Sequence, residues 1–227
     1  MRKGILALAA LAAAASSACG VTPDTPLSKA AAEGRTEEVA SLISAGVEVD
    51  ASDGSGLTAL TWAARHGQVE TLRALLRSGA SPNLATGHNG WPPLVHAIHT
   101  GQNEAAIELL ESGADVQGPG GRRGLLMAAG YGNASMVREL LARGADPHSD
   151  GIMTDAVGGA WDIDYQWPGC GPHTEAVRAL LEAAPDLRLG DGFWARRALS
   201  RARKRGCAEL VELVERRESA DRVARRH

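Results

Sequence analysis

The chain has 227 residues and a formal net charge of −3, and only 4% of its residues are aromatic. This length suits one or two ordinary domains or one array of repeats, and the abundance of alanine, glycine and leucine favours closely packed helices over sheets. The small negative net charge argues against non-specific binding of nucleic acid.

The charge is unevenly distributed along the chain. Residues 188–227 carry 12 Lys and Arg against 6 Asp and Glu, a balance of +6, whereas residues 19–187 carry 10 against 21, a balance of −11. An acidic body could steer a basic partner towards itself, and a basic end could approach an anionic membrane surface. The alternative is that both are ordinary solvated surfaces.

The first residues, MRKGILALAALAAAASSACG, have the pattern of an export signal. A basic start is followed by an apolar run, and small residues precede Cys19. The run of about 12 residues is too short to span a bilayer, so it predicts a cleaved signal peptide over 1–18 rather than a membrane helix.

The sequence around Cys19 resembles the lipobox of bacterial lipoproteins, although Ser16 stands where that family usually has leucine. The resemblance implies that Cys19 is acylated, that a linker over 19–25 follows, and that the protein is periplasmic and anchored to the cell envelope. Gly20 after the cysteine is typical of sorting to the outer membrane. Cleavage after Ala18 without a lipid is the alternative.

Three markers then recur with one spacing. A leucine begins each helical pattern, a glycine follows seven residues later, and a second glycine follows an apolar pair. The markers are Leu27, Leu60, Leu94 and Leu125; Gly34, Gly67, Gly101 and Gly132; and Gly46, Gly79, Gly113 and Gly144. All three sets step by 33, 34 and 31 residues, which indicates a repeat protein.

The unit LTALTWAARHGQVETLRALLRSGASPN at 57–83 closely resembles an ankyrin repeat, with Thr58-Ala59-Leu60-Thr61 at the place of the family's T-P-L-H. The resemblance implies an all-α ankyrin-repeat solenoid of about five to six helix-turn-helix repeats with short β-turn fingers. Its predicted units are 26–56, 57–90, 91–123, 124–150 and 151–190, followed by a capping repeat over 191–217 and a basic tail over 218–227. In the capping repeat, Phe193, Trp194 and Leu199 are expected to cover the last apolar face.

The fifth unit is longer than the others because it contains an insertion, predicted at 158–172, between its two helices. The insertion includes AWDIDYQWPGCG, with Trp161, Tyr165 and Trp167 close together. It is either a binding tip flanked by Asp162 and Asp164 or a structural plug over the neighbouring repeats. A calcium loop at the two aspartates lacks the glycine turn and bidentate glutamate that such a loop needs.

Two cysteines remain beside Cys19. In repeat register, Cys170 and Cys207 both lie at the entry to a second helix, in adjacent repeats. In an oxidising compartment they are expected to form a disulfide, and two separate thiols are the alternative.

No sequence motif predicts catalysis or a cofactor. The spacing of His96 and His99, with His66 one repeat earlier, could serve zinc, but no further ligand completes the set. We expect His96 in the core, His99 on the concave surface, and no enzyme activity.

The resemblance to ankyrin repeats implies protein binding through the finger tips and the exposed face of the first helices. The residues at those positions are Leu57, Arg65, His66, Trp91, His99, Arg122 and Tyr131, joined by Trp161, Asp162, Asp164, Tyr165 and Trp167 of the insertion. We expect a monomer that binds another exported or envelope protein, as the inhibitor or immunity protein of an enzyme or toxin. A non-inhibitory scaffold for a periplasmic enzyme is the alternative.

Overall fold

The structure is a computed structural model, and it describes residues 22–159, 168–190 and 192–224. The chain divides into two compact units, unit 1 ending at Gly113 and unit 2 beginning at Ala114. The described residues form twelve helices and no strand beyond two isolated bridges, which confirms the all-α prediction.

Unit 1 is a stack of three helix pairs. They are α1 (Pro26–Ala32) with α2 (Thr36–Ser44), α3 (Ala59–Arg65) with α4 (Val69–Arg77), and α5 (Pro93–His99) with α6 (Asn103–Glu111). The first helices α1, α3 and α5 pack side by side, and the second helices α2, α4 and α6 form the layer behind them. Fully buried alanines such as Ala30, Ala63 and Ala97 lie along the first helices, and their small side chains allow the close approach of neighbouring backbones.

Local chemistry sets where these helices begin and turn. The Thr58 hydroxyl accepts a hydrogen bond from the Thr61 amide at 3.3 Å and so caps α3. Gly67 links α3 to α4 at φ +68°, a conformation that favours glycine. A Cβ there would also lie 2.3 Å from the side-chain oxygen of Gln102 in the next repeat. The glycine marker therefore reflects both backbone conformation and packing between repeats.

Two short fingers precede α3 and α5. Each is closed by one antiparallel bridge, Ser52 with Thr58 and Thr86 with Trp91. The amide of Gly87 donates to the carbonyl of Gly56 at 2.8 Å, so the backbones of adjacent fingers touch.

Unit 2 contains α7 (Pro119–Gly130), α8 (Ala134–Ala142), α9 (Ile152–Gly158), α10 (Cys170–Ala183), α11 (Phe193–Lys204) and α12 (Ala208–Ala224). The first helix α9 packs between α7 and α11, with α8, α10 and α12 as the second helices. A Cβ on Gly158 would lie 3.0 Å from the Cβ of Ala198, which shows how closely α9 approaches α11.

The start of unit 2 departs from the expected finger. Proline at the first helical position lets α7 begin at Pro119, so residues 119–124 are helical rather than part of a β-turn finger. The second departure is at the C-terminal end. No glycine or proline interrupts residues 208–224, and α12 continues to Ala224, into the segment expected to be a tail.

The aromatic residues of α11 also differ from the expectation. Phe193 and Trp194 are 61% and 58% exposed, and their rings contact each other edge to face with centroids 5.0 Å apart. The helix instead buries the small residues Ala195, Ala198 and Ala202, because only these fit against α9. The expected covering of the last apolar face by Phe193 and Trp194 is therefore wrong.

A disulfide joins the second helices of the last two repeats. Cys170, the first residue of α10, is bonded to Cys207, which directly precedes α12, with Cα atoms 5.2 Å apart. Within the described part of the chain, none of the helices combines the length and the apolar composition needed to cross a bilayer.

Candidate functional site

The candidate surface in unit 1 lies where the C-terminal ends of α3 and α5 meet the second finger. The structure brings together four of the expected binding residues here: Arg65 and His66 at the end of α3, Trp91 after the finger, and His99 at the end of α5. All four side chains are half-buried, so they are partly accessible yet held in place. We call these residues and His96 the Trp91 cluster.

Trp91 organises this cluster. Its ring meets the imidazole of His99 edge to face with centroids 5.2 Å apart, and it lies 5.5 Å from that of His96. Its backbone bridge to Thr86 fixes where the side chain leaves the finger. A large aromatic side chain held in this way loses little conformational entropy when a partner binds.

His96 lies below this ring and is only 2% exposed. Neither of its ring nitrogens has a hydrogen-bond partner among the described residues. Burial, together with the nearby charges of Arg65 and His99, lowers the pKa of His96 to about 3. The imidazole is therefore neutral at physiological pH, and it contributes a polar but uncharged floor to the cluster.

The α3 side of the cluster rests on Trp62, which is 1% exposed. The guanidinium of Arg65 lies 5.9 Å from the centre of the Trp62 ring, and the ring of His66 lies 5.7 Å away. Burial and the charge of Arg65 lower the pKa of His66. Arg65 is thus the permanent positive charge of the cluster.

Trp62 is in turn held by the first finger. Its indole nitrogen donates to Oδ2 of Asp53 at 2.6 Å, while Oδ1 accepts from the amides of Ser55 and Leu57 and from the Ser55 hydroxyl. Burial would raise the pKa of Asp53, but these hydrogen bonds outweigh it, so the pKa lies below its usual value. The repeat pattern does not single out Asp53, although an aspartate inside the finger, four residues before Leu57, is visible in the sequence.

One expected binding residue in unit 1 is misplaced. Leu57 is only 5% exposed, and its side chain packs under the second finger beside Gly87. Contact between adjacent fingers covers this position, so the prediction that Leu57 meets a partner is wrong.

The remaining expected residues lie in unit 2 or outside the described residues. Arg122 is exposed on α7, rather than on a finger, and Tyr131 is half-buried at the C-terminal end of the same helix. The lipidation residue Cys19 and the insertion residues Trp161, Asp162, Asp164, Tyr165 and Trp167 lie outside the described residues. Among the residues that are described, no group of three or more histidine, cysteine or acidic side chains is arranged to hold a metal ion.

Charge is sorted between the two helix layers, a feature that the whole-segment charge balance concealed. In unit 1, the first helices carry two basic and no acidic residues, whereas the second helices carry two basic and six acidic. In unit 2, the first helices carry seven basic residues and one acidic, and the second helices carry five and eight. In both units, therefore, the first helices are basic and the second helices are acidic. Counting charges helix by helix in the repeat pattern would have found this.

Asp155 is the acidic exception among the first helices. It is half-buried on α9, and burial raises its pKa from 3.8 to about 6. Burial disfavours the charged carboxylate of Asp155 in the folded state. Below the unfolded pKa, Asp155 therefore does not reduce the free energy of unfolding. As the pH rises from there towards the folded pKa, ionisation of Asp155 progressively lowers the free energy of unfolding.

Asp155→Asn is therefore expected to stabilise the protein at neutral pH. The upper limit is about 3 kcal/mol at 1.36 kcal/mol per pKa unit, and the partial exposure of the side chain reduces it. Urea unfolding measured above pH ~7 and near pH ~4 checks this, because the gain should disappear at the lower pH. Exposed Asp150→Asn is the control and should change little. A gain that persists unchanged at low pH would mean that burial of the charge is not its cause.

The described residues form paired helices, short fingers and an accessible layer of first helices. These features define a repeat protein, a class that binds other proteins through its surface. Family models described as Ankyrin repeats (many copies) match residues 27–76 and 60–111, and a model described as Ankyrin repeat matches residues 121–151. Together these matches cover about half of the chain. The chain belongs to the ankyrin-repeat family, whose repeats typically form non-catalytic interaction modules.

Relatives and solved structures agree with this assignment. The chain is 34% identical over 216 residues to human Ankyrin repeat and SOCS box protein 16, covering 86% of this chain and 44% of that protein. It is 30% identical over 118 residues to a putative ankyrin repeat-containing protein of Treponema pallidum, covering 51% of this chain and 40% of the relative. The chain thus spans less than half the length of either protein.

The crystal structure of an ankyrin repeat domain from Acinetobacter baumannii matches with a TM-score of 0.67 at 24% identity, covering 85% of this chain and 97% of that one. At this identity the likeness shows the fold alone. The predicted ankyrin-repeat solenoid is confirmed by these comparisons.

Proposed function

We propose that this chain is an exported ankyrin-repeat protein, anchored to the cell envelope, that binds another envelope or exported protein through the Trp91 cluster and inhibits it. This location of the binding site is supported by one observation: the ring of Trp91 packs against those of His96 and His99, beside Arg65. An accessible tryptophan with an adjacent arginine is the composition that dominates binding energy in protein interfaces.

Two observations support export. The N-terminal residues resemble a lipoprotein signal ending at Cys19. The disulfide between Cys170 and Cys207 is of the kind that persists in oxidising compartments and is rare in the cytosol. Mass spectrometry of the mature N-terminus checks the anchor, since an acylated Cys19 differs in mass from an unmodified one.

The binding site is tested by affinity capture from envelope extract followed by titration of the captured protein. Trp91→Ala/His99→Ala is expected to weaken capture at least about tenfold, because it removes both rings of the exposed contact. The matched control is Val47→Ala/Leu84→Ala, which removes two exposed apolar side chains of the same unit outside the cluster. Equal loss with both double variants, or no loss with either, contradicts the proposed site.

The activity of the captured protein then separates the two roles. Inhibition requires that its activity falls as the mature chain is added in stoichiometric amounts. Unchanged or increased activity would replace the inhibitor with the scaffold. A further bait with Trp161, Tyr165 and Trp167 changed to alanine shows whether the insertion belongs to the binding surface, since a structural plug would leave capture intact.

A further inference from the structure

The first helices of unit 2 present a basic surface with one recurring pattern. On α7, exposed Arg122 and Arg123 stand between buried Gly121 and Gly124. On α11, the equivalent segment is Ala195-Arg196-Arg197-Ala198, again with buried small residues around two exposed arginines. Small flanking residues let the helices approach closely while the arginine pairs point away from the core.

The first helix α9 lies between α7 and α11. On α9, half-buried Thr154 and Asp155 lie between buried Met153 and Ala156. Because α9 is covered by α7 and α11 on its sides and by α10 behind, its accessible residues lie on the one open side. The two arginine pairs lie on the helices that pack on either side of α9, and we call these four residues the arginine row.

Further groups extend the arginine row along α11. Exposed Arg203 and Lys204 continue the positive charge one to two turns further on, and Arg203 forms an ion pair with Glu215 of α12. Phe193 and Trp194 are exposed at the start of the same helix. Arginine beside exposed aromatic side chains is typical of the centre of protein interfaces.

We propose that the arginine row binds an acidic, extended polypeptide segment that crosses α7, α9 and α11. This proposal rests on the proposed function in one respect, because it takes the ligand to be a polypeptide. It adds a second binding surface and specifies that the bound segment is negatively charged. Arginine guanidinium groups bind carboxylates with two parallel hydrogen bonds, which gives glutamate and aspartate an advantage over neutral side chains. Neighbouring helices lie about 8–10 Å apart, so the row spans about 16–20 Å, or about six extended residues.

The charge distribution favours a narrow segment over a membrane or a nucleic acid. The second helices of unit 2 carry five basic and eight acidic residues, so among the helices of this unit the excess of positive charge lies in the first-helix layer. At physiological salt, exposed charges act over only about 8 Å. A peptide that lies along the arginine row stays within this distance, whereas a bilayer or duplex extends well beyond it.

The test uses the full mature chain and fluorescein-labelled hexaglutamate, with labelled hexaglutamine as the neutral probe, measured by fluorescence anisotropy. Hexaglutamate should bind, hexaglutamine should not, and binding should weaken as salt increases. Arg122→Glu/Arg123→Glu and Arg196→Glu/Arg197→Glu should each weaken binding at least about tenfold. Asp155→Asn should strengthen binding, because it removes a carboxylate from the helix between the two arginine pairs.

The chain supplies a matched control in Arg216 and Arg217, an arginine pair on the second helix α12. Arg216→Glu/Arg217→Glu makes the same change in net charge and should alter binding less than about twofold. Equal loss in all three double variants would mean that net charge alone drives binding and would overturn the proposal. Tighter binding to phosphatidylglycerol vesicles or to a DNA oligonucleotide than to hexaglutamate would overturn it as well.

The outcome is independent of the Trp91 cluster. Because the probe is a defined peptide, hexaglutamate binding that is lost on reversal of either arginine pair supports the arginine row even if no envelope protein is captured through Trp91. Capture that depends on Trp91, without binding of hexaglutamate, supports the proposed function and overturns this inference. Circular dichroism and thermal melting of each variant show whether the fold is retained.

Discussion

Cys170→Ser/Cys207→Ser is expected to lower the free energy of unfolding by about 4 kcal/mol. The two cysteines are separated by 37 positions, and closing a loop of this length in the unfolded chain removes about that much conformational entropy. The bond also joins α10 to α12, so it holds the last repeat against the one before it.

Urea unfolding of the full chain, followed by far-UV circular dichroism, measures this effect. A reducing agent should destabilise the wild-type chain by a similar amount and leave the double-serine variant unchanged. Thiol titration of the denatured, unreduced protein gives an independent check. Two titratable thiols from Cys170 and Cys207, or equal stability of the two proteins, would contradict the expected role of the bond.

Trp62→Ala is expected to lower the free energy of unfolding by about 4 kcal/mol, within the range for removing a large aromatic side chain from a core. Trp62 is one of the largest fully buried side chains, so alanine leaves a cavity that the stacked first helices cannot fill. The substitution also removes the indole donor from Oδ2 of Asp53. The first finger and the floor of the Trp91 cluster should therefore both weaken.

Two further substitutions separate these contributions. Trp62→Phe retains most of the apolar volume but removes the indole N–H that donates to Asp53. It should lower the free energy of unfolding by about 1–3 kcal/mol, the usual penalty for a buried polar group left without its partner. Trp194→Ala makes the same chemical change at an exposed position and should alter stability by less than about 0.5 kcal/mol. The expectation fails if Trp62→Ala and Trp194→Ala have similar effects in urea unfolding.

The repeat pattern was sufficient to predict the class of fold, because each marker has a local physical cause. Glycines at a regular spacing occupy left-handed positions between helices, as Gly67 shows, and small residues recur where backbones approach. The same pattern predicted that His96 lies in the core, since it occupies the buried face of α5. These features depend on residues close together in the chain or one repeat apart.

Errors arose where a side chain's environment depends on a neighbouring element. Leu57 has the position of a finger-tip binding residue, but contact with the second finger buries it. Phe193 and Trp194 are the large apolar residues of α11, yet packing against α9 selects alanines for the buried face and leaves the aromatic rings exposed. In both cases hydrophobicity alone was a poor guide, because the available space decides what is buried.

The amino-acid sequence by itself determined that this is an all-α ankyrin-repeat protein, because helix periodicity, caps and glycine positions are local properties of the chain. Only the tertiary structure decided which side chains meet. It placed Trp91 across His96 and His99, gave Trp62 its contact with Asp53, and put the arginine pairs of α7 and α11 on either side of α9. These groups lie on different elements, and the stacking of one repeat on the next brings them together.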